Sequence, residues 1–174
     1  MAPDPETLSR AARGDRAAFD EIYARYGRGV FVFLAGLLRS REDAEDALQA
    51  TLLRAWVWLP RLRRRDRFTA WLFRIARNVA NDSARLRLRW PRMIEAQDDL
   101  LGPAPEVSHG EDGLRRLVAG LKPETRALVL LRAVEGWNAE DAGAAMGMSA
   151  ATARRRYAKA LKQLRLRLER SERP

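Results

Sequence analysis

Hydrophobic positions in the first half of the chain recur every three to four residues over three long stretches. Residues 19–38 place them on one face of a long helix. Ser40, with Asp43 three residues later, has the N-cap pattern that opens a second helix, and Pro60 ends that helix. A third helix is expected over about 68–89. Three helices of this length predict one compact bundle.

The helical period is lost over residues 90–113 and returns in the last third of the chain. That stretch is rich in proline, glycine and acidic residues, which is typical of a linker. Pro123 then stands at a helix start. Further on, Asn138 caps a short helix, Gly147 supplies a tight turn, and Ser149 caps a long last helix. This spacing predicts a helix-turn-helix.

The whole chain is therefore expected to be all-α, because neither strand alternation nor a glycine-paired hairpin turn is found in it. We expect two small helical domains, at residues 1–90 and 113–174, joined by an acidic linker at 91–112. Each domain is small enough that its own core gives limited stability, so docking on a larger partner is expected.

Charge indicates the kind of partner. The net charge is +10 and the isoelectric point is near 11.1. Clustered lysine and arginine gain free energy by releasing counterions from phosphates, which favours a polyanion. A basic surface that is merely solvated is the alternative, so the position of the charge has to decide.

Several function classes are disfavoured by composition. The chain has no cysteine and a single histidine, His109, which argues against disulfides, thiolate chemistry and a histidine-rich metal site. We expect no cofactor and no metal. The apolar runs are too short to cross a bilayer, and the first residues lack a signal-peptide pattern, so we expect no membrane insertion and a cytoplasmic protein.

Basic residues crowd the predicted last helix. A helix in the major groove reads base edges with side chains near its start, while flanking cations hold phosphates. A solvated basic helix on a helical hairpin is the alternative interpretation. The candidate DNA-binding residues of this helix-turn-helix are Ser149, Ala150, Thr152, Arg154, Arg155, Arg156 and Lys159.

The outer face of the predicted third helix interleaves an aromatic ring with guanidinium and amide groups. Unpaired bases stack on aromatic rings and hydrogen-bond to amides, so this face suits single-stranded nucleic acid. The arginine-rich loop before the helix could hold phosphates around a flipped base. Trp71 could instead be a partly buried core residue. The face and its edge comprise Trp71, Arg74, Arg77, Asn78, Asn81 and Arg85.

Two sets of segments resemble extracytoplasmic-function sigma factors of the sigma-70 family. Residues 43–56, DAEDALQATLLRAW, and 68–82, FTAWLFRIARNVAND, resemble their region 2. Residues 121–132, LKPETRALVLLR, with the helix-turn-helix through Leu164, resemble their region 4. Both motifs occur in the expected order, and the resemblance covers nearly the whole chain.

The resemblance implies a subunit that directs bacterial RNA polymerase to specific promoters and makes no bond itself, so no enzyme is expected. Its implied partners are core RNA polymerase, promoter DNA and an anti-sigma factor. The melted promoter element would be captured and read by Leu62, Arg63, Arg64, Phe68, Asn78 and Asn81. The melted DNA would be stabilised by Trp71, Arg74, Arg77 and Arg85. The polymerase would be bound by Asp43, Asp46, Gln49 and Leu53.

Other functions remain open at this point. A helix-turn-helix repressor or activator would bind duplex DNA without polymerase, and it would need neither the third-helix face nor the Asp43–Leu53 face. A sigma-like decoy would sequester an anti-sigma factor without promoter activity. A nuclease could hold Mg²⁺ at Asp43 and Asp46, but no paired base or nucleophile accompanies them. The residues favour the sigma factor.

Overall fold

The computed structural model describes residues 4–38, 40–89 and 117–171, and the side chains of all of these except 84–89 and 170–171. Within these ranges the regular structure is helical and contains no strand, which confirms the all-α prediction. None of the helices described is long and apolar enough to span a membrane. The helices are α1 (Pro5–Ala12), α2 (Arg16–Leu37), α3 (Arg41–Trp58), α4 (Phe68–Arg89), α5 (Pro123–Ala133), α6 (Ala139–Met146) and α7 (Ala150–Ser171).

Helix starts follow the capping signals in the sequence, including one at α1 that the hydrophobic pattern does not reveal. The Asp43 N–H donates to Ser40 Oγ at 3.1 Å, as predicted for the start of α3. Helix α1 was not predicted, although the Thr7 N–H donates to the carboxylate of Asp4 at 3.2 Å and Pro5 begins the helix. A helix of eight residues offers too little periodicity to stand out from its surroundings.

The N-terminal unit, α1 to α4, is built around aromatic side chains. Phe33 of α2 and Phe73 of α4 are fully buried, with ring centroids 5.2 Å apart in an edge-to-face arrangement. Burying each of these side chains stabilises the fold by about 1.5–3 kcal/mol. Tyr26 shares a hydrogen bond of 3.4 Å with Thr69, and its burial raises the pKa of the phenol. Helices α2 and α4 are thereby fixed to each other.

The C-terminal unit, residues 117–171, has a small core of its own, formed by Val118, Leu121, Val129, Ala160 and Leu164. Only a narrow stripe of α7 faces this core. The hydrophobic period of α7 predicts that Leu161, Leu164 and Leu168 all point inward, but Leu161 and Leu168 are 43% and 46% exposed, so the prediction is wrong for these two. Leu164 lies between them in sequence and is 4% exposed, because it alone of the three faces the small core.

The two units pack against each other, which the sequence did not indicate. Helix α5 lies on α2 and α6 lies on α4, so Leu128, Leu131 and Met146 belong to the same buried cluster as the N-terminal core. A Cβ at Gly36 would lie 2.5 Å from the Cα of Ala127, so α2 and α5 can approach this closely only because position 36 is glycine. The predicted acidic linker, 91–112, lies outside the described residues.

Candidate nucleic-acid interface

The segment between α3 and α4 is more ordered than the open loop expected from its arginines. It forms two 3-10 turns, Leu59–Arg61 and Arg65–Arg67. Between them the Leu62 N–H donates to the carbonyl of Leu59 at 3.0 Å. The segment also packs on α1, where the Arg65 guanidinium donates to Ser9 Oγ. The arginines of this segment therefore project from a folded segment that is packed against α1.

Phe68, which was expected to contact the captured strand, is only 1% exposed. Its ring packs edge-to-face on Tyr26 at 5.4 Å and lies 5.6 Å from the ring of Trp71. The structure therefore corrects that expectation. An aromatic side chain at the first position of a helix faces the bundle here, and its contribution is to support Trp71 from behind.

A pocket of 360 Å³ opens between the end of α3, the first 3-10 turn and the start of α4. Its walls combine two indole rings with three guanidinium groups. Four of the predicted site residues meet here with Arg61, one of the arginines of the predicted phosphate-holding loop, and the structure adds Trp58, which the sequence had not assigned to the site. A tryptophan at the end of a predicted helix, directly before an arginine-rich segment, was the available signal, and its indole is 43% exposed. The lining residues are Trp58, Arg61, Leu62, Arg63, Trp71 and Arg74.

Two predicted amides continue the pocket along α4. Asn78 and Asn81 are exposed, and at seven and ten residues beyond Trp71 they lie on the same helical face. The distance from the ring to the second amide is roughly 15 Å along the helix axis. Pocket and amides thus form one continuous surface. The side chain of Arg85, predicted to extend it, lies outside the described residues.

Arg77 differs from its neighbours on α4. It is half-buried, and its guanidinium Nη2 donates to the carbonyl of Met146 in the C-terminal unit at 2.5 Å. Met146 is the last residue of α6, so the cation lies at the negative end of that helix. In this arrangement Arg77 connects the two units of the chain.

Arg64 is held within its own segment. Its guanidinium donates to the carboxylate of Asp66 at 2.9 Å, and both side chains are more than half exposed. This hydrogen bond lowers the pKa of Asp66 below its ordinary value and raises the pKa of Arg64. Arg64 therefore already has an acidic neighbour, whereas Arg61 and Arg63 face the pocket.

The helix-turn-helix is present with the capping residues that the sequence indicated. Asn138 Oδ1 accepts hydrogen bonds from the N–H groups of Glu140 and Asp141 at the start of α6. Gly147 ends the helix at a φ of +68°, a conformation that glycine adopts without strain. A Cβ at Gly143 would lie 2.9 Å from the carbonyl oxygen of Met148, so this glycine allows the turn to close tightly.

Helix α7 presents its cations openly. The Thr152 N–H donates to Ser149 Oγ at 3.2 Å, and the two hydroxyls are 3.0 Å apart, so the predicted cap is formed. Thr152 and Ala150 are half-buried, which leaves the longer side chains to project furthest. Arg156 has an exposed acidic neighbour, Glu124, at 3.8 Å. The exposed predicted cations are Arg154, Arg155, Arg156 and Lys159.

The predicted polymerase face of α3 is largely exposed. Asp46 and Gln49 are exposed and Leu53 is 68% exposed, an unusual position for a large apolar side chain. Asp43 is half-buried beside the Ser40 cap. Within the described ranges no three histidine, cysteine or acidic side chains are close enough to hold a metal ion. The arrangement on α3 suits a protein contact better than a magnesium site.

Both halves of the chain match known protein families. Residues 22–90 match the family described as Sigma-70 region 2, and residues 111–164 match Sigma-70, region 4. The RNA polymerase sigma factor CarQ of Myxococcus xanthus is 36% identical, over 91% of this chain and 93% of its own length. The ECF RNA polymerase sigma factor ShbA of Streptomyces griseus is 31% identical, over 91% of each chain.

A solved structure matches across both units. The sigma factor RpoE of Bartonella quintana, crystallised with the anti-sigma factor NepR, superposes with a TM-score of 0.68 and is 26% identical. The match covers 89% of this chain and 98% of that one.

Proposed function

The chain belongs to the sigma-70 family, as an extracytoplasmic-function sigma factor, and from this premise we propose how its surfaces divide promoter recognition. Sigma factors are non-catalytic initiation factors that direct RNA polymerase to promoters, so the expectation that the chain is not an enzyme is confirmed by its family. We propose that residues 1–90 bind polymerase and open the promoter. Residues 113–174 would read a more distant element as duplex, with 91–112 as the connection.

The pocket beside α4 is the observation that carries the proposal for strand capture. Two indole rings, Trp58 and Trp71, provide faces on which an unstacked base can lie. The guanidinium groups of Arg61, Arg63 and Arg74 surround it and can hold the flanking phosphates. A volume of 360 Å³ at a surface opening accommodates one flipped base. We therefore assign the pocket to a single base of the separated strand.

The exposed amides extend this assignment along the strand. Asn78 and Asn81 can donate to and accept from the Watson–Crick edges of bases that follow the flipped one. An amide that hydrogen-bonds to a base edge distinguishes one base from another, whereas an arginine that contacts a phosphate carries little sequence information. These two residues would therefore supply the sequence preference. The pocket would then supply most of the binding energy.

The helix-turn-helix is proposed to bind duplex DNA. Arg154 and Arg155 are exposed on the first turns of α7, where side chains reach base edges in a major groove. The hydroxyls of Ser149 and Thr152 form a hydrogen bond to each other at the helix start. We propose that they contact a phosphate rather than a base. Arg156 and Lys159 would hold the DNA backbone.

We further propose that the α3 face binds core RNA polymerase. Asp46, Gln49 and Leu53 combine an acidic, an amide and an apolar group on exposed positions of one helix. A polymerase surface that offers cations around an apolar patch would complement them. We also propose an anti-sigma factor as a partner, because the structure of RpoE was solved in complex with one. We propose a cytoplasmic location for the chain.

A variant that lacks both exposed amides of α4 tests the proposed strand capture. We expect Asn78→Ala with Asn81→Ala to reduce promoter opening, measured by permanganate reactivity of unpaired thymines in a complete polymerase complex. Binding of the variant to core polymerase, measured by native gel or anisotropy, is expected to stay at the wild-type level. Gln163→Ala, which removes an exposed amide from α7, is the matched control. Equal loss of opening and polymerase binding would show that the two asparagines have a structural role.

A further inference from the structure

Helix α4 carries one acidic residue among its cations. Its sequence contains five arginines and a single carboxylate, Asp82, which is exposed. Asp82 lies eleven residues beyond Trp71, close to three full helical turns, and four residues beyond Asn78. It therefore shares the face of the indole and the amides, with its Cβ roughly 5–6 Å from that of Asn78. A carboxylate on this face needs an explanation, because it repels a phosphate placed beside it.

The carboxylate of Asp82 is held from the neighbouring helix. The Arg54 guanidinium of α3 donates to Asp82 Oδ2 at 3.3 Å, and the two side chains are 41% and 53% exposed. A surface ion pair of this kind contributes little to stability. A carboxylate has two oxygens, each with more than one acceptor site, so this bond leaves Asp82 able to accept further hydrogen bonds. Arg54 thus restricts the direction of the carboxylate and reduces its repulsion of a nearby strand.

We propose that Asp82 is a specificity-determining residue that selects guanine in the separated strand, and that Arg54 is its positioning residue. The proposal rests on the proposed function of α4 as the strand-binding helix. Because an ionised carboxylate only accepts hydrogen bonds, it selects a base by the N–H groups that the base presents. Guanine presents two neighbouring donors, N1–H and the N2 amino group, on its Watson–Crick edge. It is therefore the base that a carboxylate complements best.

The other three bases fit a carboxylate less well on this edge. Cytosine and adenine each present one amino group beside a ring nitrogen that itself accepts, and thymine presents one N–H between two carbonyls. An acceptor of the base then faces an acceptor of the protein, and neither has a donor. In the duplex this edge of guanine is paired with cytosine, so Asp82 can read it only after the strands separate. Selection by Asp82 therefore acts on opening of the promoter and not on the first encounter with duplex DNA.

Short single-stranded oligonucleotides that compete for the polymerase-bound factor test this selection. Their sequence is taken from a promoter that the wild-type factor opens, with each position changed in turn to every other base. The wild-type factor should prefer guanine at one position by roughly five- to 20-fold, towards the lower part of the range for a base contact because Asp82 is exposed. Asp82→Ala should lose this preference.

Further measurements separate base reading from a structural role. Asp82→Ala should bind strands without the selected guanine roughly two- to fivefold more tightly, because a negative charge leaves the surface and Arg54 becomes available to a phosphate. Asp82→Asn should shift the preference from guanine to adenine, since an amide both donates to and accepts from adenine. Arg54→Gln breaks the same ion pair but keeps the carboxylate, so it should reduce the guanine preference without abolishing it. Asp20→Ala removes an exposed carboxylate from α2 and is the matched control.

A purely structural role for Asp82 gives a different result. Asp82→Ala and Arg54→Gln would then lose stability equally in urea unfolding, and both would keep the wild-type base preference. That result would overturn the proposal, as would a wild-type factor with no guanine preference at any position. Loss of polymerase binding by Asp82→Ala with an unchanged base preference would overturn it as well. If Trp58→Ala still weakens strand binding in these cases, strand capture stands, whereas no effect of Trp58→Ala or of the paired asparagine substitutions would count against the proposed function.

Discussion

The pocket beside α4 and the first turns of α7 both display arginine, but they display it on surfaces of opposite shape. The pocket is concave, and its walls combine guanidinium groups with the indole rings of Trp58 and Trp71. The start of α7 is convex, and Arg154 and Arg155 project from it beyond the shorter side chains of residues 150–153. The pocket has a shape that can enclose a ligand, and the start of α7 has a shape that can enter the groove of one.

This difference follows from what each form of DNA leaves exposed. A base that has left the duplex offers two flat faces, so an aromatic wall gains free energy by stacking on it. A base within the duplex offers only its edge, so a protruding cation or hydrogen-bond donor is needed, and an aromatic wall would have nothing to stack on. Net charge alone, at +10, does not distinguish the two tasks.

The largest effect is expected from removing the convex surface. Arg154→Ala with Arg155→Ala should lower affinity for duplex promoter DNA at least roughly 30-fold, since each such contact contributes about 1–3 kcal/mol. The slope of log affinity against log salt should become shallower by up to about 2. Titrations by fluorescence anisotropy at several salt concentrations measure both quantities. Arg165→Ala, further along α7, is the control, and an equal loss there would mean that only overall charge matters.

A somewhat smaller effect is expected when the concave surface loses one wall. Trp58→Ala should weaken binding of single-stranded DNA to the polymerase-bound factor by about 1–3 kcal/mol, or roughly five- to 150-fold, because a stacking face is lost. Duplex binding by α7 should be unchanged. The measurement is competition with short oligonucleotides. Unchanged single-strand affinity would remove Trp58 from the site and leave the exposed indole unexplained.

The two units can also be compared through their helix caps. Asn138 accepts two backbone hydrogen bonds at α6, whereas Ser40 accepts one at α3. Asn138→Ala should lower the free energy of unfolding by about 0.5–2 kcal/mol, towards the upper part of the range for caps, and by more than Ser40→Ala. Urea unfolding followed by circular dichroism gives both values. The reverse order would mean that the helix-turn-helix tolerates a frayed first helix.

The smallest effect concerns the exposed pair beside the pocket. Arg64→Ala should raise the pKa of Asp66 towards its ordinary 3.8, because the hydrogen bond that lowers it is removed. A carboxylate whose pKa is lower in the folded chain than in the unfolded chain stabilises the fold at pH values above the unfolded pKa. This stabilisation is lost as the pH falls through the folded pKa. The window therefore lies below about pH 4, and solvent screening keeps the effect small. Carbon-13 chemical shifts of the Asp66 carboxyl report it, and an unchanged titration would contradict the pairing.

Helix boundaries were the most predictable feature, since Ser40, Asn138 and Ser149 are caps that act over three residues. Helix α1 had such a signal in Asp4 and Pro5 but no period long enough to support it. The packing of the two units on each other could not be predicted in this way. A hydrophobic period shows that a face of α4 is buried, but it does not show which helix covers that face. Phe73 and Met146 are distant in sequence, and their contact is set by tertiary packing.

Site residues divide in the same way. The amides and cations on α4 and α7 could be chosen from sequence, because polar groups on a helical face are exposed unless paired. Phe68 was misassigned because one aromatic at a helix start fits either the core or a ligand. Trp58 was overlooked because its place in the pocket depends on how the chain turns after α3, and the 3-10 turn that sets it has only weak sequence signals.

The most direct test of the central claim is reconstituted transcription with the purified chain, bacterial core polymerase and a genomic promoter library. The account predicts initiation at a defined subset of promoters that share two elements, one opened and one remaining duplex. Arg154→Ala with Arg155→Ala should relax selection at the duplex element, and Trp58→Ala should impair opening at the other. Stable duplex binding by the chain with no polymerase association and no initiation would contradict the account.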